Sequence, residues 1–334
     1  EEKQAAAEAA ELAKVSAAAG EAFEKWLAER PAKATLPGQI GHFPFDEYKE
    51  GKLPNLAGES KQASSSQKNK IVPGKNGNGL RLTGDDGVNL GIGNFKRTAP
   101  FSIALWMNTP HHKERTVVFS RSRAWTDAGS RGYQMLLRDG HLSASLTHFW
   151  PGNAISVRTK AKLPKNEWHH VAITYDGSTK AGGLEIYVDG KLVETEIHKD
   201  NLYKNITGGG GDTIVIGQRF RDVGFAEGLV DDFRVFDREL TGGEVAQIHD
   251  GGSLAAMLAK PAAALGQAER ATLRDYFLAT ANEPHAAQLA KLRAARERVT
   301  KLLDGRGEIM VMEEMPLKPR STFVLKRGVY SAPG

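Results

Sequence analysis

Cysteine is absent from this 334-residue chain. Disulfides, a thiolate nucleophile, a cysteine zinc site and covalent haem attachment are therefore excluded from it. Long apolar runs are also missing, because none approaches the ~20 residues that a membrane helix needs. The acidic, alanine-rich N-terminal sequence EEKQAAAEAAELAK does not resemble a signal peptide. We therefore predict no membrane span in this segment.

A strong charge of one sign is lacking as well. The formal net charge is +5, and no block of Lys and Arg is long enough to form a nucleic-acid-binding arm. We expect no nucleic-acid partner. The composition includes 36 Gly and 14 Pro, which is typical of a turn-rich β protein.

The middle of the chain shows the clearest strand pattern. Val171, Ile173 and Tyr175 alternate with Ala and Thr before Asp176-Gly177, and a second alternating run ends at the next Asp-Gly pair. A period of two with β-branched and aromatic residues predicts two antiparallel strands. About a dozen such runs between His42 and Phe236 predict a two-sheet sandwich.

The ends of the chain have helical patterns instead. Residues 1–36 contain an amphipathic helix that ends at Pro31, and 37–252 form the β domain. Residues 253–305 predict a helical hairpin whose apolar stripe packs against the N-terminal helix. We expect 306–334 to be an extended tail that begins a following domain.

Several motifs in order carry a family resemblance. The chain resembles the laminin-G-like, concanavalin A-like lectin and glucanase jelly rolls over roughly residues 42–251, through FSIALW (101–106), WHHVA (168–172), YDG (175–177), YVDG (187–190) and VDDFRVF (230–236). The resemblance implies a mainly β fold, a jelly-roll sandwich with flanking N- and C-terminal helices. It also implies a carbohydrate-binding role.

A second resemblance concerns the ends. The segments LRDYFLA (273–279) and IMVMEEM (309–315) are similar to junctions in large planctomycete-type proteins. There a lectin-like domain lies between domains of unknown function, often together with a cytochrome-c-type domain. The resemblance implies a middle segment of a longer, extracytoplasmic protein whose other domains are partners. The haem motif is absent here, so no redox activity is assigned.

Candidates for catalysis are few. Glycosidases need two carboxyl groups that flank the scissile bond, ~5 Å apart in retaining enzymes. Glu185 lies on a strand and Asp189 in a turn, and Asp231 and Asp232 are expected to point to opposite faces because neighbours on a strand do so. His169-His170 cannot bind one metal together for the same reason. We predict no enzyme activity in this segment.

Binding residues are better represented. Aromatic rings stack on sugar faces, and Arg, Asn and His hydrogen-bond hydroxyl groups or pair with anionic glycans. Residues of these types gather in loops and strand ends, and we take as ligand-binding candidates Arg121, Trp125, Arg131, Tyr133, His148, Trp150, Asn153 and Arg219. The alternative is that the aromatic residues are core and that the arginines pair with nearby acids.

The family resemblance also implies a structural calcium ion, for which Asp46, Asn55 and Asp231 are the candidate ligands. No other cofactor is expected. Three functional classes remain open. The first is a non-catalytic module that binds a polysaccharide or glycan, including acidic or sulfated glycans. The second is a scaffold domain that binds no glycan, and the third is a glycoside hydrolase, which the missing pair of carboxyl groups disfavours.

Overall fold

Two antiparallel sheets form the centre of the structure, a computed structural model that describes residues 1–57, 62–66, 68–124, 131–307, 309 and 324. Residues 1–304 form one compact unit, and 305–334 form a second. Most of the predicted tail lies outside the described residues. The first unit contains, in chain order, the helices α1 Glu2–Ala18, α2 Gly20–Glu29, α3 Gly242–Asp250, α4 Ser253–Ala259, α5 Gln267–Thr280 and α6 Glu283–Asp304.

The strands are short and are separated by turns. They are β1 Gln39–Phe43, β2 Lys52–Leu53, β3 Ala63–Ser65, β4 Lys70–Pro73, β5 Asn78–Arg81, β6 Val88–Asn89, β7 Phe101–Asn108, β8 Thr116–Arg121, β9 Gly132–Arg138, β10 His141–Phe149, β11 Asn153–Thr159, β12 Trp168–Tyr175, β13 Leu184–Val188, β14 Lys191–Leu192, β15 Thr195–Asn201, β16 Val215–Ile216 and β17 Leu229–Phe236.

Sheet 1 has the order β14-β13-β12-β7-β17-β5-β4, with β1 also paired to β17, and sheet 2 has the order β15-β11-β10-β9-β8-β16-β6-β3-β2. Alternation along β7 shows how the sheets pack. Phe101, Ile103 and Leu105 belong to the core between the sheets, whereas Ala104 belongs to an apolar cluster on the outer face of sheet 1. The sandwich predicted from the alternating runs is confirmed.

Helix α3 covers part of that outer face. Val245 and Ile248 pack on Ala104 and Phe236. The helix begins at a capping box. The Thr241 side chain accepts a hydrogen bond from the Glu244 amide, and the Glu244 carboxylate accepts one from the Thr241 amide.

The chain's terminal helices form a separate apolar cluster. Phe23 and Leu27 of α2 pack with Leu254, Leu273 and Phe277 from α4 and α5. Helix α1 lies along α6, and an ion pair of 2.9 Å joins the first residue, Glu1, to Arg298. The single helix predicted up to Arg30 is interrupted at Ala19, where φ is −75° and ψ is 10°, next to Gly20, a residue type with low helix propensity.

Some strands were not predicted from the sequence. β2 and β3 have two and three residues and lie in a segment rich in Ser, Lys, Gln and Gly. β15 is an edge strand of sheet 2, and its residues are mostly exposed. Short or exposed strands show no alternation of apolar and polar residues in the sequence. They are recognised only in the structure, by their hydrogen-bonded pairing with a neighbouring strand.

Candidate functional site

The candidate site lies at one end of sheet 2, where hairpins of adjacent strands meet the 202–213 loop. Arg121 ends β8 opposite Tyr133 of β9, and Phe149 at the end of β10 pairs with Asn153 of β11. Because these strands are neighbours, the topology brings most of the predicted residues together where the strands end. We call this end of sheet 2 the loop site, and it is formed by residues 121–124, 131–133, 148–153 and 203–212.

Half of the loop site is buried and holds the loops in place. The Arg121 guanidinium is fully buried, donates to the Ile206 carbonyl at 2.7 Å and pairs with Asp212 at 2.8 Å. The Tyr133 hydroxyl donates to the Gly93 carbonyl at 2.8 Å, and burial raises the pKa of Tyr133. Asn153 is buried and accepts the Tyr203 amide at 3.0 Å. These three side chains face inward.

The other half remains open. Arg131, His148 and Trp150 are partly exposed. His148 Nδ1 lies 2.6 Å from the Asn205 carbonyl oxygen, so Nδ1 carries the donated proton and leaves Nε2 as an acceptor, 3.3 Å from Arg131 Nη2. Burial lowers the pKa of His148, which favours the neutral ring.

The Trp150 ring is the aromatic surface of the open half. The Lys199 ammonium lies 6.0 Å from its ring centroid, and the neighbouring Phe149 is 44% exposed. An indole with cationic neighbours can stack on a pyranose ring and pair with an acidic substituent.

The glycine run beside the site has a defined place. Gly211 has φ of +65°, and a Cβ there would lie 2.4 Å from the Ser122 carbonyl carbon. A Cβ on Gly209 would lie 2.9 Å from Arg131 Cβ. Gly209 and Gly211 therefore lie directly against the β8–β9 connection, and the left-handed φ and close backbone approach of Gly211 favour glycine there.

One further predicted residue, Arg219, takes no part in the open half. Trp125 lies outside the described residues. The side chain of Arg219 is 1% exposed and pairs with Asp222, whose own side chain is 2% exposed. Asp222 also accepts from Arg115 Nε at 2.6 Å. The alternative interpretation of arginines paired with acids therefore describes Arg219 and Arg121.

The predicted calcium ligands bind backbone amides. Asp231 Oδ2 accepts from the Lys75 and Asn76 amides at 2.7 and 2.8 Å, and Asp46 Oδ1 accepts from Asn78 at 2.8 Å. Asn55 Oδ1 accepts from His42 at 2.8 Å. Calcium needs about six to eight oxygen ligands. Within the described ranges, no group of three or more His, Asp or Glu side chains could hold a metal ion.

Asp231 and Asp232 depart from the predicted opposite orientation. A bulge shifts the β17 register between Asp231 and Arg234, and Asp232 has φ of +47°. Asp231 stands opposite Trp106, whereas Asp232 contacts His42 at 2.7 Å and Arg234 at 3.0 Å. His42 and Arg234 alternate with core residues, so both acids lie on the outer face.

Neither acid is open to a substrate. Both are buried, and Asp232 is bound by a cation and a histidine. Burial raises the pKa of Asp231 to about 6, while burial and then the nearby His249 lower the pKa of His170 to about 4. The pKa values in this cluster are shifted because its groups are buried. The two carboxyl groups of a glycosidase must instead reach both sides of a glycosidic bond, which buried acids do not.

Comparisons with known proteins agree with the fold. The family described as the concanavalin A-like lectin/glucanases superfamily matches residues 82–246. No curated protein matches the chain. No helix in the described ranges is long and apolar enough to cross a membrane.

Similar solved structures include two binding domains and one domain of an arabinanase. The binding domain of Paraclostridial Mosquitocidal Protein 1 is 16% identical with a TM-score of 0.48, covering 64% of this chain and 52% of that one. Domain 4 of AbnA, an extracellular GH43 arabinanase from Geobacillus stearothermophilus in complex with arabinotriose, is 19% identical with a TM-score of 0.45, covering 64% and 98%.

The third is the receptor binding domain of botulinum neurotoxin D, which is 16% identical with a TM-score of 0.46 and covers 64% and 52%. This chain spans about half the length of the two toxin domains. At these identities the likenesses concern the fold alone and say nothing about what this chain binds.

Proposed function

Since residues 82–246 form a domain of the concanavalin A-like lectin/glucanases superfamily, we propose that this chain is a non-catalytic module that binds carbohydrate through the loop site. The observation that carries the proposal is the partly exposed Trp150, with Lys199 6.0 Å from its ring centroid and Arg131 and His148 partly exposed in the same edge of sheet 2. The setting we propose is extracytoplasmic, within a longer protein.

The chemistry of the open half favours an acidic glycan. The indole offers a flat apolar face, and the arginine and lysine offer two positive charges. A uronic acid or sulfate ester pairs well with a guanidinium because its oxygens match the planar donors. His148, neutral and held by the Asn205 carbonyl, adds an acceptor for a sugar hydroxyl.

The scaffold alternative has its own supporting observation. Arg121, Tyr133, Asn153 and Arg219 are all buried, and each of them hydrogen-bonds to a loop or pairs with an acid. If the remaining open residues bind nothing, the domain's role is to pack against other parts of its parent protein. We do not propose a hydrolase, because Asp231 and Asp232 are buried.

A glycan array with the full chain tests the proposal. The array contains neutral, uronic-acid and sulfated glycans, and the proteins are wild type, Trp150→Ala, Arg131→Gln and the control Leu192→Ala, which changes an exposed apolar residue of sheet 1. We expect wild type and the control to bind, and stacking worth ~1 kcal/mol or more to be lost in Trp150→Ala. Arg131→Gln should lose binding mainly to acidic glycans.

Parallel arrays in calcium and in EDTA decide whether a metal contributes. Silence of the wild type on all three glycan classes, or unchanged binding by Trp150→Ala, contradicts the loop-site proposal. Silence would favour the scaffold role.

A further inference from the structure

A cleft lies between the paired helices α1 and α6 and the loops of the jelly roll. Its volume is about 460 Å³, which is within the ~300–1,000 Å³ typical of small-molecule sites. Its walls are largely apolar, being formed by Ala5, Ala6, Ala9, Leu292, Val299 and Leu303. Alanines on α1 leave open the space that larger side chains would fill.

One of the residues that line this cleft, Arg97, is a buried cation. Arg97 is 3% exposed. Its Nη1 donates to the Leu202 carbonyl at 3.2 Å, but its Nε is buried with no hydrogen-bond partner. In the described part of the chain no carboxylate lies within ion-pair distance of Arg97. Burial lowers the pKa of this guanidinium.

Charge around the cleft is mainly positive. Arg296 and Lys180 also line it, and Glu2 is the acidic residue among its walls. Asp304 acts on Arg97 only from beyond ion-pair distance, and its Oδ1 accepts the Asn205 amide at 2.9 Å. A buried charge is costly unless it is paired and hydrogen-bonded, so Arg97 lacks the anion that would compensate it.

We propose that this cleft is a binding site for a small amphipathic carboxylate. The carboxylate pairs with Arg97, and the apolar tail lies between the α1 alanines and the Leu292 and Val299 side chains of α6. This cleft adjoins the loop site, with which it shares Tyr203, and the proposal does not depend on carbohydrate binding.

Calorimetric titration of the full chain with octanoate tests the site, with octan-1-ol and octylamine as probes of the same length and different charge. Octanoate should bind best and octylamine worst. Ala6→Leu fills the cleft without changing Arg97, and the control Ala7→Leu changes a neighbouring exposed alanine that does not line it. We expect Ala7→Leu to bind like wild type and Ala6→Leu to bind roughly tenfold or more weakly.

Arg97→Met should reduce octanoate affinity to that of octan-1-ol, also by roughly tenfold or more. Because Arg97 also supports the Leu202 loop, the probe series and Ala6→Leu provide tests that do not depend on that variant's folding. Absence of octanoate binding to wild type, equal affinity for octanoate and octan-1-ol, or an unchanged affinity in Ala6→Leu would overturn the proposal.

Discussion

Replacing the buried carboxylate of Asp222 by an amide tests whether Arg219 is a structural residue. Asp222 accepts from Arg115 Nε at 2.6 Å and from Arg219 Nε at 3.0 Å, and also binds Arg219 Nη2. Asn keeps the shape of the side chain but removes its charge. Arg219, with a side chain that is 1% exposed, would then lose the negative charge of the carboxylate with which it pairs.

The expected loss in the free energy of unfolding is large for the replacement of one carboxylate by an amide. Breaking a buried ion pair by removing one partner destabilises a protein by about 3–5 kcal/mol. Urea unfolding of Asp222→Asn, followed by fluorescence at pH 7, should show a loss in that range. Glu194→Gln is the control, because Glu194 and Lys160 form an exposed pair 3.2 Å apart that should contribute no more than about 1 kcal/mol.

The pH dependence gives an independent check. Burial raises the pKa of Asp222, but the hydrogen bonds and charges of Arg115 and Arg219 outweigh burial and hold the pKa below its ordinary value of 3.8. The stabilisation is therefore complete above pH ~3.8 and is lost as pH falls through the lowered pKa. A loss below 1 kcal/mol at pH 7, or a difference from wild type that grows on acidification, would refute the ion-pair account.

Three further predictions concern stability. Leu273→Ala removes a fully buried side chain from the helical cluster and should cost about 2–5 kcal/mol in denaturant unfolding, whereas Leu302→Ala, at a residue 57% exposed, should change stability by less than about 0.5 kcal/mol. Deleting residues 1–30 exposes Leu254 and Phe277 and should lower the melting temperature and cause self-association in light scattering; unchanged stability and a monomer would contradict the packing. Asp231→Asn keeps an oxygen that accepts from the Lys75 and Asn76 amides and removes a carboxylate whose pKa burial raises to about 6. The variant should therefore be more stable than wild type above pH 6, and the difference should shrink as pH falls below 6. A variant that is less stable than wild type at pH 8 would count against this.

The fold was predictable because its central strands alternate in sequence. Phe101, Ile103 and Leu105 in β7, and Val171, Ile173 and Tyr175 in β12, all face the core that their alternation indicates. The thin edge strands were not predictable, because their residues are exposed and pairing rather than burial defines them.

The ligand-binding role of the candidate residues stays a prediction. Arg121 and Trp150 were chosen because they lie in loops or at strand ends, and the structure places both in the loop site. The sequence does not show that Arg121 pairs with Asp212, which is 91 positions away, so its burial arises from a tertiary contact. The bulge at Asp232 is also invisible to an alternation rule, because its left-handed φ breaks the period on which the rule depends.

The packing of α2 on α4 and α5 has a consequence for biosynthesis. The Phe23 and Leu27 side chains lack their apolar partners in α4 and α5 until Leu254 and Leu273 have been synthesised. At ~5–20 residues per second, translation leaves them waiting roughly 10–50 s. The β domain can form during that interval, but the helical cluster cannot, so the apolar side of α2 stays exposed on the nascent chain. Within this chain, a segment that is synthesised early is thus among the last to be buried.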